Sequence, residues 1–534
     1  MRLRRFLIGF TLVMMAFFLG GARPWIWPVI VALFFLGAVA LIWRHSETDL
    51  LEGISRTWLA VFGALLVYPL LQVVPLPESW LSTLSPHRML WLQRGQQVSG
   101  LPVWLKSVSY TPLETVFEGF AWWLFLVVFA LVLRKVLQKE RRPDWLFNLL
   151  FVFAGFEALY GLLQVLIPSL GVLWEAEGQG LARGTFVNRN HYACFLGMLW
   201  PVLLTYVWSM KESREQRAED RRKRARRLAG EEVRRIEVQS SKLKAERERL
   251  SYPEREQFSQ IRQKQMFYGF IIGLMILGIF FSQSRGGIIG SIISLTVLIA
   301  VSKKMRTKGM LFLVVGAWTV MLVYGSIIGF DDILRRFDQI DVGASGRFQI
   351  WETALLIIKD HPWTGTGVGS FGDLFRVYQT YLNDIQTTNF AHNDYLHLMV
   401  ELGVPVAALL FVLVWGYWWR TAWRIARGRT AEDGRQRTED GRQRTEDGRQ
   451  RAEDGRQRTE DGEWQPKSGI RHRASGMQHR ETSIEQRRLI AVGALAGSAA
   501  FLCHSWGEFN WQIPANALYF VMLLVIMNDG EVNG

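Results

Sequence analysis

About a dozen stretches of this chain run for roughly 16–22 residues almost without charge. That is too long to be buried on every side in a water-soluble core, and long enough to cross a bilayer as helices. They lie near 6–22, 25–43, 57–74, 119–137, 145–167, 191–210, 266–281, 286–301, 309–328, 396–419, 489–506 and 513–527. With no water in the bilayer core to satisfy backbone groups, such runs predict an all-α integral membrane protein. The expected architecture is a polytopic bundle of about 12 transmembrane helices. A soluble enzyme, a fibrous protein and a disulfide scaffold are excluded. Cys194 and Cys503 both fall inside apolar runs and give no metal or redox signal.

The net charge of +14 is unevenly distributed. With the N-terminus inside, one face collects Arg2, Arg4 and Arg5, the 134–142 cluster, 211–265, 303–308 and 420–488. That face carries about +19 and the other about −5, as the positive-inside rule expects, so both termini are predicted to be cytoplasmic. This pattern reads as membrane topology rather than a nucleic-acid footprint, and no nucleic-acid partner is expected. Six N-terminal spans (1–210) lead to a charged helical insert (211–265) and the central spans (266–328). A large outward loop (329–395), a span (396–419), a linker (420–488) and two final spans (489–534) follow. Within that linker, residues 431–462 repeat (Thr/Ala)-Glu-Asp-Gly-Arg-Gln-Arg. With no apolar position and no net charge per unit, the repeat predicts a disordered segment without chemistry.

Outward segments hold the candidate chemistry. Arg285, in Ser282-Gln-Ser-Arg-Gly-Gly287, lies between two nearly touching apolar runs. An arginine there marks an interfacial turn or binds an anion at the mouth of the bundle. The Gly365-Thr-Gly-Val-Gly369 run lacks the Lys-Ser/Thr ending of a nucleotide loop and reads as a tight turn. His392 and Asn393 stand at the end of the large loop. Asp394, His397 and Glu401 follow on one helical stripe, which must face the bundle interior. A histidine beside such a stripe, opposite outward arginines, is a candidate base.

Several blocks occur in order: Gly346-Arg347-Phe-Gln-Ile-Trp351, His361-Pro362-Trp-Thr-Gly365-Thr-Gly367, Ala391-His392-Asn393-Asp-Tyr395-Leu396 and Glu401-Leu402-Gly403. Weaker blocks are Ser284-Arg285-Gly286, Gly184-Thr-Phe-x-Asn188-x-Asn190-His191, Leu71-Gln-Val-Val-Pro-Leu-Pro77 and His504…Phe509…Pro514. In these the chain resembles the O-antigen ligase/polymerase family of bacterial membrane glycan transferases. It departs at Gly403-Val-Pro-Val406, where the ligase motif ends in Gly, Thr or Tyr. The ligase and polymerase branches therefore both stay open.

The resemblance implies a GT-C-like bundle in the bacterial cytoplasmic membrane. It implies transfer of a glycan from an undecaprenyl-diphosphate carrier to a hydroxyl on lipid A-core, on another glycan or on a protein. By resemblance His392 is the base, and Arg285 and Arg347 hold the diphosphate. Arg183, Arg189 and Asn393 are further substrate contacts. The sequence has no outward Asp-x-Asp, so catalysis without a metal or other cofactor is expected, with arginines in the cation's place. A glycolipid transporter or a scaffold for envelope assembly is the alternative. The charges cluster at one face rather than the midplane and the halves show no repeat, which favours the enzyme.

Overall fold

The computed structural model describes residues 2–44, 56–100, 106–140, 143–173, 180–210, 242–302, 345–379, 388–427 and 471–532, with isolated positions between. The heptapeptide repeats, most of the charged insert before 242, the 329–344 stretch and most of the span expected at 309–328 lie outside the described residues.

The described chain is helical. α1 (Arg2–Phe17), α2 (Ile26–Arg44) and α3 (Arg56–Val73) precede two short helices, α4 (Glu78–Leu84) and α5 (Pro86–Ser99). α6 (Pro112–Lys139), α7 (Asp144–Leu166) and α8 (Arg189–Met210) complete the N-terminal part. α9 (Lys242–Phe281) and α10 (Arg285–Val301) are followed by α11 (Ser345–Asp360), α12 (Phe371–Tyr378) and α13 (Asp394–Leu402). α14 (Val404–Arg427), α15 (Arg471–His504) and α16 (Pro514–Val532) close the fold.

Among the described residues five helices are long and apolar enough to cross a membrane: α6, α7, α8, the Ser259–Phe281 part of α9, and α14. A sixth arises if α3 and α4 form one span, bent by 118°. The bend falls at Pro75-Leu-Pro77, where neither proline can extend the hydrogen-bond ladder. Three further apolar helices, Ile26–Ala40, Arg285–Val301 and Pro514–Asn528, are shorter. By length and composition the described helices therefore support five or six of the twelve expected spans.

α15 is the hub. Gly493 and Gly497, four residues apart, let its backbone meet the Pro201 and Met198 carbonyls of α8. On another side Gly290 of α10 packs against Ala500, and Ser294 Oγ donates to the Ala496 carbonyl at 2.8 Å. Small residues at i and i+4 are what permits such close approach where lipid supplies no hydrophobic drive. α8, 78% buried, is central, whereas α14, 17% buried, runs along the outside.

The span expected at 396–419 is in fact two helices. Gly403, at φ +78°, ends α13, and α14 starts at Val404-Pro405. This break lets the Gly365-Thr-Gly367 turn dock on the end of α13. Thr366 N donates to the Val400 carbonyl at 3.0 Å, Gly367 N to Glu401 at 3.1 Å, and Val404 N to Pro362 at 2.8 Å. Tyr68 and Gln72 of α3 bond the same turn, through the Thr364, Glu401 and Leu402 carbonyls. The glycine run is thus a backbone-to-backbone brace. A Cβ at Gly365 would strike the Glu401 carbonyl, and one at Gly403 the Trp363 carbonyl. Gly403→Ala should destabilise the purified protein by about 1–3 kcal/mol, because its backbone region is essentially glycine-only. Gly416→Ala, where a Cβ meets nothing within 4 Å, should not destabilise it. Thermal unfolding of the two variants checks this.

Candidate functional site

One end of the bundle gathers the start of α8, the start of α10, the start of α13 and the 505–513 turn joining α15 to α16. That turn, Ser505-Trp-Gly-Glu508-Phe-Asn510-Trp-Gln-Ile513, is polar and short. Asp394 N donates to the Ser505 carbonyl at 2.9 Å, and Trp511 N donates to Asp394 Oδ2 at 2.9 Å. The turn and the His-Asn block are therefore pinned together from both sides.

At the centre is Glu508, whose side chain is 4% exposed. Its Oε1 receives Arg347 Nη2 at 2.5 Å and Asn190 Nδ2 at 2.6 Å. Its Oε2 faces His392 Nδ1 at 3.4 Å. Burial pushes the carboxyl up, but the His392 contact and the Arg347 charge outweigh it and bring it down to about 2. A carboxylate only accepts, so the Nδ1 that faces it is the ring nitrogen suited to carry a proton, and Nε2 is the one turned away from Glu508.

His392 is held in an unusual conformation. Its φ of +49° lies in the left-handed region, which few non-glycine residues adopt, histidine more readily than most. Trp351 Nε1 fixes the preceding carbonyl of Ala391 at 3.0 Å. Asn393 then caps α13, its oxygen accepting from Tyr395 N and Leu396 N. The His392 ring meets Phe509 edge-on at 4.7 Å, and Phe509 also touches His191 at 4.5 Å and Phe390 at 4.3 Å. Next to it, His191 Nδ1 pairs with Asn510 Oδ1 at 3.1 Å.

The stripe behind His392 is a brace. His397 Nδ1 accepts from Ala391 N at 3.4 Å, and its Nε2 meets Glu401 Oε1 at 3.1 Å. The same Glu401 oxygen accepts from Gly369 N at 2.8 Å. Asp394, His397 and Glu401 are all buried, as the stripe requires, but on the short helix α13 rather than on a spanning one.

Of the six residues singled out by sequence, His392 and Arg347 meet at Glu508. Arg285 is the first residue of α10, exposed, with Ser284 capping the helix through Gly287 N at 3.2 Å. Its neighbour Gly286 packs on the ring of buried His504, which ties it to the same end of the bundle. Arg189, half-buried, directly precedes Asn190. Arg183 is only 5% exposed, in a loop tied to α7 by Gln164 Oε1 at 2.9 Å. Asn393, by contrast, directly follows His392 and caps α13. Glu508 has no part in the sequence-based assignment, and Asn190 enters it only within the Gly184–His191 block, with no role given. The available signal was an acid in a short polar turn between two apolar helices at the acidic face. Among the described residues no three His, Cys, Asp or Glu side chains are grouped to hold a metal ion.

Glu508 lies below the ordinary carboxylate value of 4.5, so the stability it adds is complete above that value and is lost as pH falls toward about 2. Melting temperature followed downward from neutral pH should therefore fall less steeply through this window in Glu508→Gln than in the unaltered chain.

Residues 270–411 match the family model described as O-antigen ligase. The matched segment includes Arg285, Arg347 and His392 and ends before Glu508. No curated protein matches this chain.

Proposed function

From the premise that the chain belongs to the O-antigen ligase family, through residues 270–411, we propose a specific chemistry for its glycan transfer. A glycan leaves an undecaprenyl-diphosphate donor and joins an acceptor hydroxyl, with His392 as base. The observation that supports this most is His392 itself, 26% exposed, with one ring nitrogen turned to a buried carboxylate. Its free Nε2 takes the hydroxyl proton, the acceptor oxygen forms the new bond to the anomeric carbon, and the bond from that carbon to the diphosphate oxygen breaks. The diphosphate leaves on its lipid with the released electron pair, and Arg347, 39% exposed, and Arg285 stabilise its charge. Arg189 joins them at the rim, Arg183 and Asn393 are further substrate contacts, and Asn393 also caps the helix after His392. Attack on the face opposite the leaving group inverts the anomeric centre.

An apolar groove lined by Tyr395, Phe411, Trp415, Phe501 and Phe520, with Asp394 also in its wall, suits the polyprenyl tail. The acceptor is lipid A-core, a growing glycan or a protein side chain, and no metal takes part. The proposed orientation puts this site on the outer face of the bacterial cytoplasmic membrane and both termini in the cytoplasm.

Purified protein given undecaprenyl-diphosphate glycan and each acceptor class tests the reading. His392→Ala should lower the transfer rate by about 10²–10⁴-fold, the usual contribution of a positioned base. Arg347→Lys should also be impaired, because lysine cannot replace a planar fork. Undiminished transfer in His392→Ala at normal abundance would refute the assignment. A single product would indicate ligation and a ladder polymerisation. A phosphatase fused after Gly534 should be inactive if that end is cytoplasmic.

A further inference from the structure

Glu508 has two faces. Oε1 is saturated by a full positive charge, Arg347 Nη2 at 2.5 Å, and by a neutral donor, Asn190 Nδ2 at 2.6 Å. Oε2 points at His392 Nδ1 from 3.4 Å, too far for a strong hydrogen bond. Exposure divides the same three residues. Arg347 (39%) and His392 (26%) are open to a ligand, and Glu508 (4%) is not. An incoming diphosphate that takes Nη2 of Arg347 therefore competes with Glu508, which already holds that nitrogen.

The competition favours the diphosphate, which offers more charge and more acceptor oxygens to a guanidinium fork than one carboxylate does. Once Arg347 turns outward, Asn190 still satisfies Oε1, so the carboxylate is not abandoned in the interior. Its negative charge, no longer offset by Arg347, then acts on the imidazole at its other oxygen. We propose that, before the donor binds, Glu508 occupies the place on Arg347 that the donor's diphosphate takes. The exchange hands the carboxylate to His392, so that seating the donor is what prepares the base. Glu508 is a positioning residue in this scheme, acting through Arg347 and His392. The inference rests on the proposed roles of those two residues.

The other groups facing Glu508 leave room for this. Asn190 and His191 come from α8, and His191 is engaged by Asn510. His504 comes from the end of α15, packed on Gly286. Asp394, at the start of α13, is held by Trp511 N. Among these, Arg347 is the full positive charge in contact with the carboxylate.

The test uses the full chain in lipid nanodiscs, with undecaprenyl diphosphate as the binding probe and undecaprenyl-diphosphate glycan for turnover. With no carboxylate to displace, Glu508→Gln should bind undecaprenyl diphosphate about three- to tenfold more tightly, the sign opposite to that of a damaged site. Its transfer rate should fall at least about tenfold. Glu508→Asp, one methylene shorter, cannot span Arg347 and His392 together. It should shift binding the same way, which covers the case in which the glutamine variant fails to fold. Unchanged or weaker binding in the folded variants, alongside lost transfer in His392→Ala, overturns the exchange alone. Full transfer in His392→Ala overturns the base assignment beneath it.

Discussion

A carboxylate enclosed in protein at the end of a membrane bundle needs an opposite charge and a hydrogen bond for each lone pair it can manage. Glu508 obtains these from elements far apart in the chain: Arg347 from α11, Asn190 from α8 and His392 from the approach to α13. Removing any of them leaves a buried ion short of partners, so this one side chain ties together elements far apart in the chain. The same placement puts a histidine with a free ring nitrogen beside an accessible arginine. The electrostatic need of the interior and the geometry of the site are met by one contact.

The rest of the fold holds that contact steady. Small residues on α15 bring α8 and α10 close enough for their ends to share a rim. The turn at Gly365–Gly367 locks onto the end of α13, and Asn393 caps its start, so the helix after His392 is fixed at both ends. His392 can then stay at a left-handed φ that a loosely held loop would relax. Rigid support behind a half-exposed, strained residue is the arrangement expected where positioning matters more than stability.

How much of this the sequence could show depended on the range of each interaction. Membrane helices are declared by composition over about 20 consecutive residues, and α6, α7, α8 and the end of α9 lie where their apolar runs lie. His392 and Arg347, which the fold brings together at Glu508, and Arg285, at the same end of the bundle, each stand out in the sequence inside a local block with its own spacing. The break at Gly403 was hidden, since α13 and α14 read as one apolar run. Pro405, suited to the first turn of a new helix, was the sign that it is two. Glu508 was less legible still. It is 116 residues from His392 and 161 from Arg347, and its role exists only through tertiary contact.

The central claim is that Arg347 serves the donor's diphosphate while Glu508 serves His392. It is tested most directly by a structure of the full chain in nanodiscs with undecaprenyl diphosphate bound. The account predicts phosphate oxygens on Arg347 and Glu508 held by Asn190 and drawn closer to the His392 ring. A diphosphate bound elsewhere, with the Arg347–Glu508 pair intact, would contradict it.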